Sequence, residues 1–452
     1  MIILHNPTIV TAEKEAAGSI IIKDGKIADV LYSENEDYGF RMSKVLKENP
    51  EAEIWELEGK HVIAGGIDAH VHFREPGLTH KADMQTESRA AVAGGVTSVF
   101  DMPNTTPPAT TAEAIKGKIE AARGRCATKI GFHIGATNSN TEAIKELISN
   151  GSEEAGISPA DIAGVKVFMG SSTGNMLVDD RSSLDDFFSI KEKPVLVHCE
   201  DEDTIRTNLN IAKEKYGDDI PFSEHEHIRS RRACILSSIK ALELAVKHGT
   251  RLVLCHISTK EEIEMARAAK ISNPEIVAET SCNYLWFSNE DYDRLGSRLK
   301  CNPSVKTAED RAALRQALAE GLIDTIGSDH APHLPEEKEK CYTQAPSGLP
   351  SIQQSLPVLL TIAHEENIPL TRIASVFSEK ASEIYSLNRG KIKAGYDADL
   401  VIFDYNTETI VNNADQYSKC GWTPYEGERL HGKIESVLVD GQTVFRDGKA
   451  TV

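Results

Sequence analysis

The chain lacks several features that would assign it to whole classes of protein. It has no apolar run near the roughly 18 residues that a membrane-spanning helix needs. Residues 1–18 show no basic segment followed by a long apolar one, so no secretory signal is expected. The eight cysteines include no C-x-x-C pair, which favours free thiols over a disulfide framework. We therefore expect a cytoplasmic protein without membrane segments.

The chain also lacks an excess of basic residues. Lys and Arg number 50 against 69 Asp and Glu, a formal net charge of −19 at pH 7. Because nucleic acids and anionic membranes are bound by basic surfaces, neither is expected as a partner. A small anionic substrate is not excluded, provided that basic groups are concentrated locally. We expect a small-molecule substrate, and the sequence leaves open whether several copies of the chain assemble.

Both ends of the chain have a β-rich texture that differs from the middle. Short β segments such as SIIIKDGKIADVLY precede residue 61, and DADLVIFDY, ESVLVDG and QTVFRDG follow residue 388. We predict that residues 1–60 and 389–452 build one small β-sandwich-like domain together. Two separate terminal domains are the alternative. An α/β barrel takes about 250 residues or more, which the segment 61–388 can supply.

The middle of the chain alternates apolar, turn-bounded segments with amphipathic helical stretches. Alternation of this kind predicts parallel strands with crossover helices, and eight such units close into a (β/α)₈ TIM barrel. A doubly wound open sheet is the competing fold, but no G-x-G-x-x-G follows the first strand. The eight segments are GGIDAHVH, VTSVFDMPN, KIGFHIGAT, GVKVFMG, PVLVHCED, RLVLCHIST, EIVAETSCNYL and DTIGSDHAPH.

Polar side chains recur where these predicted strands end, which is where catalytic groups of such barrels lie. Side chains two apart on a strand face the same side, so His70 and His72 can both reach one ion. Imidazoles together with a carboxylate suit zinc or a similar divalent metal. The candidates are His70 and His72 on strand one, Lys166 on strand four, His198 on strand five, His256 on strand six and Asp329 after strand eight.

Three residues that are predicted ligands or adjoin them need separate interpretation. Lys166 as an ammonium cannot ligate a metal, but its amine can add carbon dioxide to form an anionic carbamate that could bridge two ions. The alternative is a lysine paired with a nearby acid. Cys199 and Cys255 adjoin predicted ligands, and strand alternation places both outward, as small packed residues rather than thiolate ligands.

The motifs resemble those of the amidohydrolase superfamily and, within it, of the lysine-bearing dihydroorotase family. This resemblance covers nearly the whole chain. It implies His70, His72, Lys166 and Asp329 around one metal ion, and Lys166, His198 and His256 around the other, with zinc as the expected metal. The motifs are DAHVHFREPG (68–77), GGVTSVFDMPNTTPP (94–108), KVFMGSSTGN (166–175), VHCED (197–201), CHIST (255–259), SDHAPH (328–333) and GKIKAGYDADLVIFD (390–404).

The resemblance also implies a set of substrate contacts. Arg74 follows the His-x-His by two residues, and its guanidinium could clamp a substrate carboxylate that hydantoins and dihydropyrimidines lack. The chain departs from the family in GLPSIQQSLP (348–357) and in the Lys of CNPSVK, and some bacterial members have Asp in place of Lys166. The implied contacts are Arg74, Asn104, Asn302 and His333, with backbone contacts from Ser347 and Gly348.

The activity that the resemblance implies is reversible hydrolysis of (S)-dihydroorotate to N-carbamoyl-L-aspartate, a step of pyrimidine synthesis. Asp329 would act as the general base and then protonate the leaving ring nitrogen. The loop from Leu334 to Ser347 is a candidate lid. The alternatives are a related cyclic amidase, such as a hydantoinase, dihydropyrimidinase or allantoinase, and a non-catalytic homologue.

Overall fold

Two sheets organise the computed structural model, which describes residues 1–170 and 176–451. The strands, in chain order, are β1 (Ile2–Val10), β2 (Glu15–Lys23), β3 (Lys26–Tyr32), β4 (Glu53–Glu56), β5 (His61–Ala64), β6 (Gly66–Val71), β7 (Val96–Asp101), β8 (Lys129–Gly135), β9 (Ile162–Phe168), β10 (Val195–His198), β11 (Leu252–Leu254), β12 (Val277–Thr280), β13 (Thr325–Ile326), β14 (Leu400–Ile410), β15 (Arg429–Val439), β16 (Gln442–Arg446) and β17 (Lys449–Ala450).

The helices lie mainly between the strands of the middle segment. They are α1 (Tyr38–Glu48), α2 (Met84–Ala93), α3 (Ala112–Ala122), α4 (Thr141–Asn150), α5 (Arg181–Phe188), α6 (Glu202–Tyr216), α7 (His225–Ile228), α8 (Arg231–His248), α9 (Lys260–Lys270), α10 (Cys282–Trp286), α11 (Tyr292–Leu295), α12 (Ala308–Glu320), α13 (Pro335–Lys338), α14 (Ser355–Glu366), α15 (Leu370–Ala374) and α16 (Lys380–Ile384). None of the described helices is long and apolar enough to cross a membrane.

Strands β6 to β13 form the predicted barrel. Each pairs in parallel with the next, and a bridge between Val71 and His330 joins the first strand to the segment after the last. Every one of the eight predicted segments overlaps one of these strands, so the TIM-barrel prediction is confirmed. The strands are apolar and buried, as expected where helices cover the outside and side chains fill the inside.

Local capping signals explain where several helices begin. Thr259 and Glu262 form a reciprocal capping box at the start of α9, and Thr307 and Asp310 form another at the start of α12. Each pair satisfies two backbone N–H groups that a helix start leaves without an intrahelical partner. These caps direct the chain from the strand ends into the outer helices.

The nine-stranded second sheet is built from both ends of the chain. Its order is β17-β16-β15-β14-β5-β1-β2-β3, with β4 paired to β1. Strand β14 pairs directly with β5, Leu400 opposite Ala64, so the two ends share one sheet rather than forming separate units. Strand β5 belongs to this sheet although it begins at residue 61. The exact division of the chain into domains at residues 60 and 388 stays a prediction.

Candidate metal centre

Three of the predicted ligands converge at the carboxyl end of the barrel. Asp329 Oδ1 lies 3.0 Å from His72 Nε2 and 3.5 Å from His70 Nε2. The other ring nitrogens are held from behind: His70 Nδ1 lies 2.8 Å from Glu279 Oε1, and His72 Nδ1 lies 2.8 Å from Asn104 Oδ1. Because those oxygens accept from Nδ1–H, both Nε2 lone pairs face Asp329, the arrangement in which histidines bind metals.

The other two predicted histidine ligands form a second group. His198 Nδ1 lies 3.0 Å from His256 Nε2. His198 Nε2 lies 2.9 Å from Glu200 Oε2, and Glu200 also pairs with Arg229. The carboxylate of Glu200 therefore accepts from Nε2–H and leaves the Nδ1 lone pair directed at His256. Two ligand nitrogens on one tetrahedral zinc ion would lie about 3.3 Å apart, close to the separation found here.

Lys166 completes the centre and is fully buried. Its Nζ lies 3.4 Å from Cys255 Sγ and 5.2 Å from the centre of the Phe168 ring. Among the residues that the structure describes, no carboxylate lies within 4.0 Å of Nζ, so the predicted alternative of an acid partner is not observed. A buried amine without a counter-ion fits a group that is modified or that faces bound ions.

Cys255 is a correction to the strand-alternation argument. The prediction placed Cys255 outward, but its sulfur contacts Lys166 inside the barrel and packs with Val253 and Leu196. The regular strand ends at Leu254, and His256 has a φ of 39°, which breaks the alternation so that two successive side chains face inward. Cys199 does lie outward, in the core between barrel and helices, as predicted.

Burial and neighbouring charges set the protonation of the centre. Burial lowers the pKa of His70 and of His256 well below the ordinary value, so both rings are neutral and can ligate. Burial opposes ionisation of Asp329, but the histidines around it outweigh burial and hold the pKa of Asp329 below its ordinary value. The donor set is thus neutral imidazoles and an anionic carboxylate, which fits divalent cations.

The predicted substrate contacts fall into two groups. Arg74, Asn302, Ser347 and Gly348 line the same pocket as the six candidate ligands. Asn104 and His333 lie behind it: Asn104 contacts His72, and His333 Nε2 lies 3.0 Å both from Arg74 Nη2 and from the carbonyl oxygen of Ser347. These two residues therefore orient other members of the site in this structure.

Arg74 is a buried cation beside the candidate ligands. Its φ is 65°, and its Nε donates to the carbonyl oxygen of Pro332 at 3.1 Å. Within the described chain, no carboxylate lies within 4.0 Å of the guanidinium. Burial lowers the pKa of Arg74 to about 10, so it remains charged at neutral pH. A buried guanidinium of this kind is stabilised by an anion that enters the pocket.

Sequence reasoning missed the carboxylates that support the ligands. Glu279 on β12 and Glu200 after β10 are both buried and contact His70 and His198. Burial raises the pKa of Glu279 to about 7. The signal was an acidic residue inside an otherwise apolar segment, EIVAETS. Gly327 is part of this support, because an added Cβ would lie 2.7 Å from Glu279 Cδ and 2.9 Å from His70 Cβ.

The loop predicted as a lid is held firmly at its base. It contains α13, and the buried Lys338 Nζ donates to the carbonyl oxygens of Pro346 at 2.8 Å, Gly348 at 3.1 Å and Lys300 at 3.2 Å. The role of this loop as a lid stays a prediction. Residues 171–175 of the KVFMGSSTGN motif lie outside the described residues.

A TIM barrel with histidines and a carboxylate gathered at the carboxyl ends of its strands defines a metal-dependent hydrolase. The family model described as "Amidohydrolase family" matches residues 61–444 of this chain. The chain belongs to this family and is a metal-dependent cyclic amide hydrolase, as the sequence predicted.

Individual relatives carry several different names. The chain is 33% identical over 420 residues to a dihydroorotase of Methanosarcina mazei, covering 90% of this chain and 86% of the relative. It is 29% identical to an allantoinase of Desulfitobacterium hafniense, covering 99% and 96%. An L-hydantoinase (dihydropyrimidinase) structure from Arthrobacter aurescens superposes with a TM-score of 0.89 at 26% identity, covering 100% and 97%.

Proposed function

We propose that this protein is a dihydroorotase, which hydrolyses (S)-dihydroorotate reversibly to N-carbamoyl-L-aspartate in cytoplasmic pyrimidine synthesis. The observation that carries the proposal is Arg74, a buried guanidinium in the ligand pocket without a carboxylate partner among the described residues. A guanidinium binds a carboxylate through two parallel hydrogen bonds. Dihydroorotate carries such a carboxylate on its ring, and dihydrouracil and hydantoin do not.

The electrostatic surroundings of Arg74 support an anionic substrate. Burial and the positive charges of Arg74, Lys338 and Lys81 hold the pKa of His333 below its ordinary value. Arg74 lines the pocket, and Lys338 and Lys81 lie around His333 beside it, in a chain whose net charge is −19. The local potential therefore favours an anion although the whole molecule would repel one.

The metal part of the proposal is two divalent ions, with zinc as the metal that suits these donors, and a carboxylated Lys166 that would offer oxygen ligands to both. His70, His72 and Asp329 would hold one ion, and His198 and His256 the other. Such ions would supply a nucleophilic water at neutral pH and polarise the scissile carbonyl. Asp329, in contact with His70 and His72, would take the proton from the attacking water and return it to the leaving ring nitrogen.

Arg74 would bind the substrate carboxylate and so hold the ring in one orientation. Asn302, Ser347 and Gly348, which line the pocket, would contact the ring itself. His333 would hold Arg74 in place, because its Nε2 lies 3.0 Å from Nη2 of the guanidinium. Fixing the reactants in this way removes much of the entropic barrier to attack.

A related cyclic amidase is the second candidate. The allantoinase relative matches 99% of this chain, more than the 90% matched by the dihydroorotase of Methanosarcina mazei. The segment GLPSIQQSLP (348–357) also differs from the usual dihydroorotase run. Both candidates require the same metal centre, and they differ in whether the substrate carries a ring carboxylate.

A substrate panel separates the two candidates. Purified protein with its metal content quantified would be assayed with dihydroorotate, dihydrouracil, hydantoin and allantoin, before and after chelation. We expect kcat/KM for dihydroorotate to exceed that for dihydrouracil by at least about 10- to 100-fold, the usual contribution of a charge-assisted hydrogen bond. A preference for allantoin or for an uncharged ring would contradict the proposal, and full activity without divalent metal would contradict the metal centre.

A further inference from the structure

A second cavity, of about 530 Å³, lies at the opposite end of the barrel from the metal centre. Thr128, Asp161 and Lys193 line it, and they precede strands β8, β9 and β10. Its volume falls within the usual range of small-molecule pockets, roughly 300–1,000 Å³. The amino-terminal end of such a barrel ordinarily serves stability, so a cavity of this size there needs an explanation.

The charged groups of this cavity are mainly cationic. Arg123, Lys193 and Arg389 line it, against the single carboxylate of Asp161. That carboxylate already accepts hydrogen bonds from the backbone N–H and the hydroxyl of Ser158, each at 2.8 Å. The side chains that line the cavity therefore carry an excess of positive charge, in a chain whose net charge is −19.

Arg389 is the most constrained of these cations. It is half-buried, and its Nε is shielded from solvent without any hydrogen-bond partner among the described residues. The buried hydroxyl of Thr128 also has no partner there. Burial lowers the pKa of Arg389 and of Lys193, and for Arg389 the carboxylates of Asp397, Asp399 and Asp440 offset only part of this effect. An anion in the cavity would oppose this effect of burial on both cations.

Apolar side chains form another part of the cavity wall, and two of them are aromatic. Phe100 and Tyr385 stack with ring centres 4.7 Å apart, and both line the cavity. Ile130 and Leu387 extend this wall. A ligand that fits this lining has both an anionic group and a flat apolar body.

We propose that this cavity is a binding site for a small organic anion, a phosphate or carboxylate attached to a flat apolar group. The site is separate from the metal centre and does not depend on which cyclic amide the enzyme hydrolyses. Arg389 and Lys193 bind the anionic group, and the Phe100–Tyr385 wall binds the apolar body.

Calorimetric titration of the metal-loaded enzyme tests the proposal with four probes. Phenyl phosphate and benzoate carry both features, inorganic phosphate lacks the apolar body, and benzylamine has the opposite charge. We expect phenyl phosphate or benzoate to bind at least tenfold more tightly than inorganic phosphate, and benzylamine not to bind. The stronger of the two aromatic anions identifies the preferred anionic group.

Variants locate the binding. Arg389→Gln and, separately, Lys193→Gln should each weaken binding of the aromatic anion about tenfold or more, the range for lost charge-assisted hydrogen bonds. Arg206→Gln on α6, whose side chain is 66% exposed, is the matched control and should leave affinity unchanged. Titration of Arg74→Met separates this cavity from the metal centre and should also show unchanged affinity.

Three results would overturn the proposal. The first is unchanged affinity in both Arg389→Gln and Lys193→Gln, with melting temperatures showing that the variants are folded. The second is loss of binding in Arg74→Met, which would place the anion at the metal centre. The third is equal binding of benzylamine, or no binding of either aromatic anion at millimolar concentration.

Discussion

At the scale of single residues, the specificity that we propose depends on one guanidinium. Arg74 is buried, and its Nε is held by the carbonyl oxygen of Pro332, so its position is set before substrate arrives. A positioned cation loses little side-chain freedom on binding, which makes its hydrogen bonds to a carboxylate effective.

Replacing Arg74 by Met should separate charged from uncharged substrates. We expect kcat/KM for dihydroorotate to fall by at least about 10- to 100-fold, because a charge-assisted hydrogen bond contributes about 1.5–3 kcal/mol. The loss with dihydrouracil should be much smaller. Arg267→Met, at a side chain that is 59% exposed, is the control. Equal losses for both substrates would mean that Arg74 is structural.

Lys166 is the second residue whose chemistry can be tested alone. An ordinary lysine has a pKa near 10.4, and an ammonium between two divalent ions is strongly unfavourable. Carboxylation would replace that cation with an anionic bridge, so metal binding and carboxylation should promote each other. The fully buried Lys166, whose Nζ lies 3.4 Å from the sulfur of Cys255, is compatible with either form.

Lys166→Ala should lose at least one metal ion and nearly all activity, measured by metal analysis and by turnover. Added short carboxylic acids should partly restore both, because they supply the missing oxygen bridge. Lys240→Ala, at an exposed position of α8, is the control. An unmodified ammonium at Lys166 in a crystal structure with both ions fully occupied would refute the bridge.

At the scale of elements, the loop that carries Ser347 and Gly348 is shaped by buried lysines. Lys338 Nζ binds three backbone carbonyl oxygens, and Lys300 Nζ binds those of Tyr342 at 2.6 Å and Ala345 at 2.7 Å. These contacts fix a segment without regular structure next to the pocket. The base of this loop is therefore held in place beside the pocket by hydrogen bonds.

Lys338→Met should leave three buried carbonyl oxygens without this donor and displace Gly348. We expect KM for dihydroorotate to rise more than kcat falls, because the chemistry at Asp329 is untouched. The free energy of unfolding should fall by about 1–3 kcal/mol, the usual cost of unsatisfied buried polar groups. Lys340→Met, in the same loop and exposed, is the control. A fall in kcat with unchanged KM would contradict this role.

At the scale of the whole molecule, the barrel interior contains a histidine whose own protonation is unfavourable in the folded protein. His133 on β8 is fully buried, and its Nε2 lies 3.0 Å from the carbonyl oxygen of Ala69. Burial lowers the pKa of His133 to about 3, against about 6.5 in an unfolded chain. Between these values the unfolded chain binds the proton and the folded one does not, so stability falls as pH falls from 6.5 toward 3.

His133→Gln should remove this contribution while retaining a donor to Ala69. We expect the slope of unfolding free energy against pH, measured by denaturant titration between pH 6 and 4, to decrease by about 1.4 kcal/mol per pH unit, the value for one proton. His227→Gln, whose side chain is 69% exposed, is the control. An unchanged slope in His133→Gln would show that His133 is protonated in the folded state.

The sequence alone was enough for the barrel and for the chemical identity of the candidate ligands. Apolar runs bounded by turns mark the strands, because strands that are buried on both faces consist mainly of apolar residues. Polar residues at the strand ends are therefore easy to recognise. The pairing of the two chain ends was also predictable from their shared β texture. Both inferences use local patterns, which a single sequence contains.

Only the tertiary structure decided which residues support the candidate ligands and where the side-chain alternation of a strand is interrupted. His256 faces inward next to the inward-facing Cys255 because His256 adopts a positive φ, which no alternation rule anticipates. Glu279 contacts His70 across 209 positions of sequence, and Arg389 and Lys193 line one cavity although they belong to distant segments. Such contacts depend on three-dimensional packing, so the sequence names the reactive groups and the fold determines their neighbours.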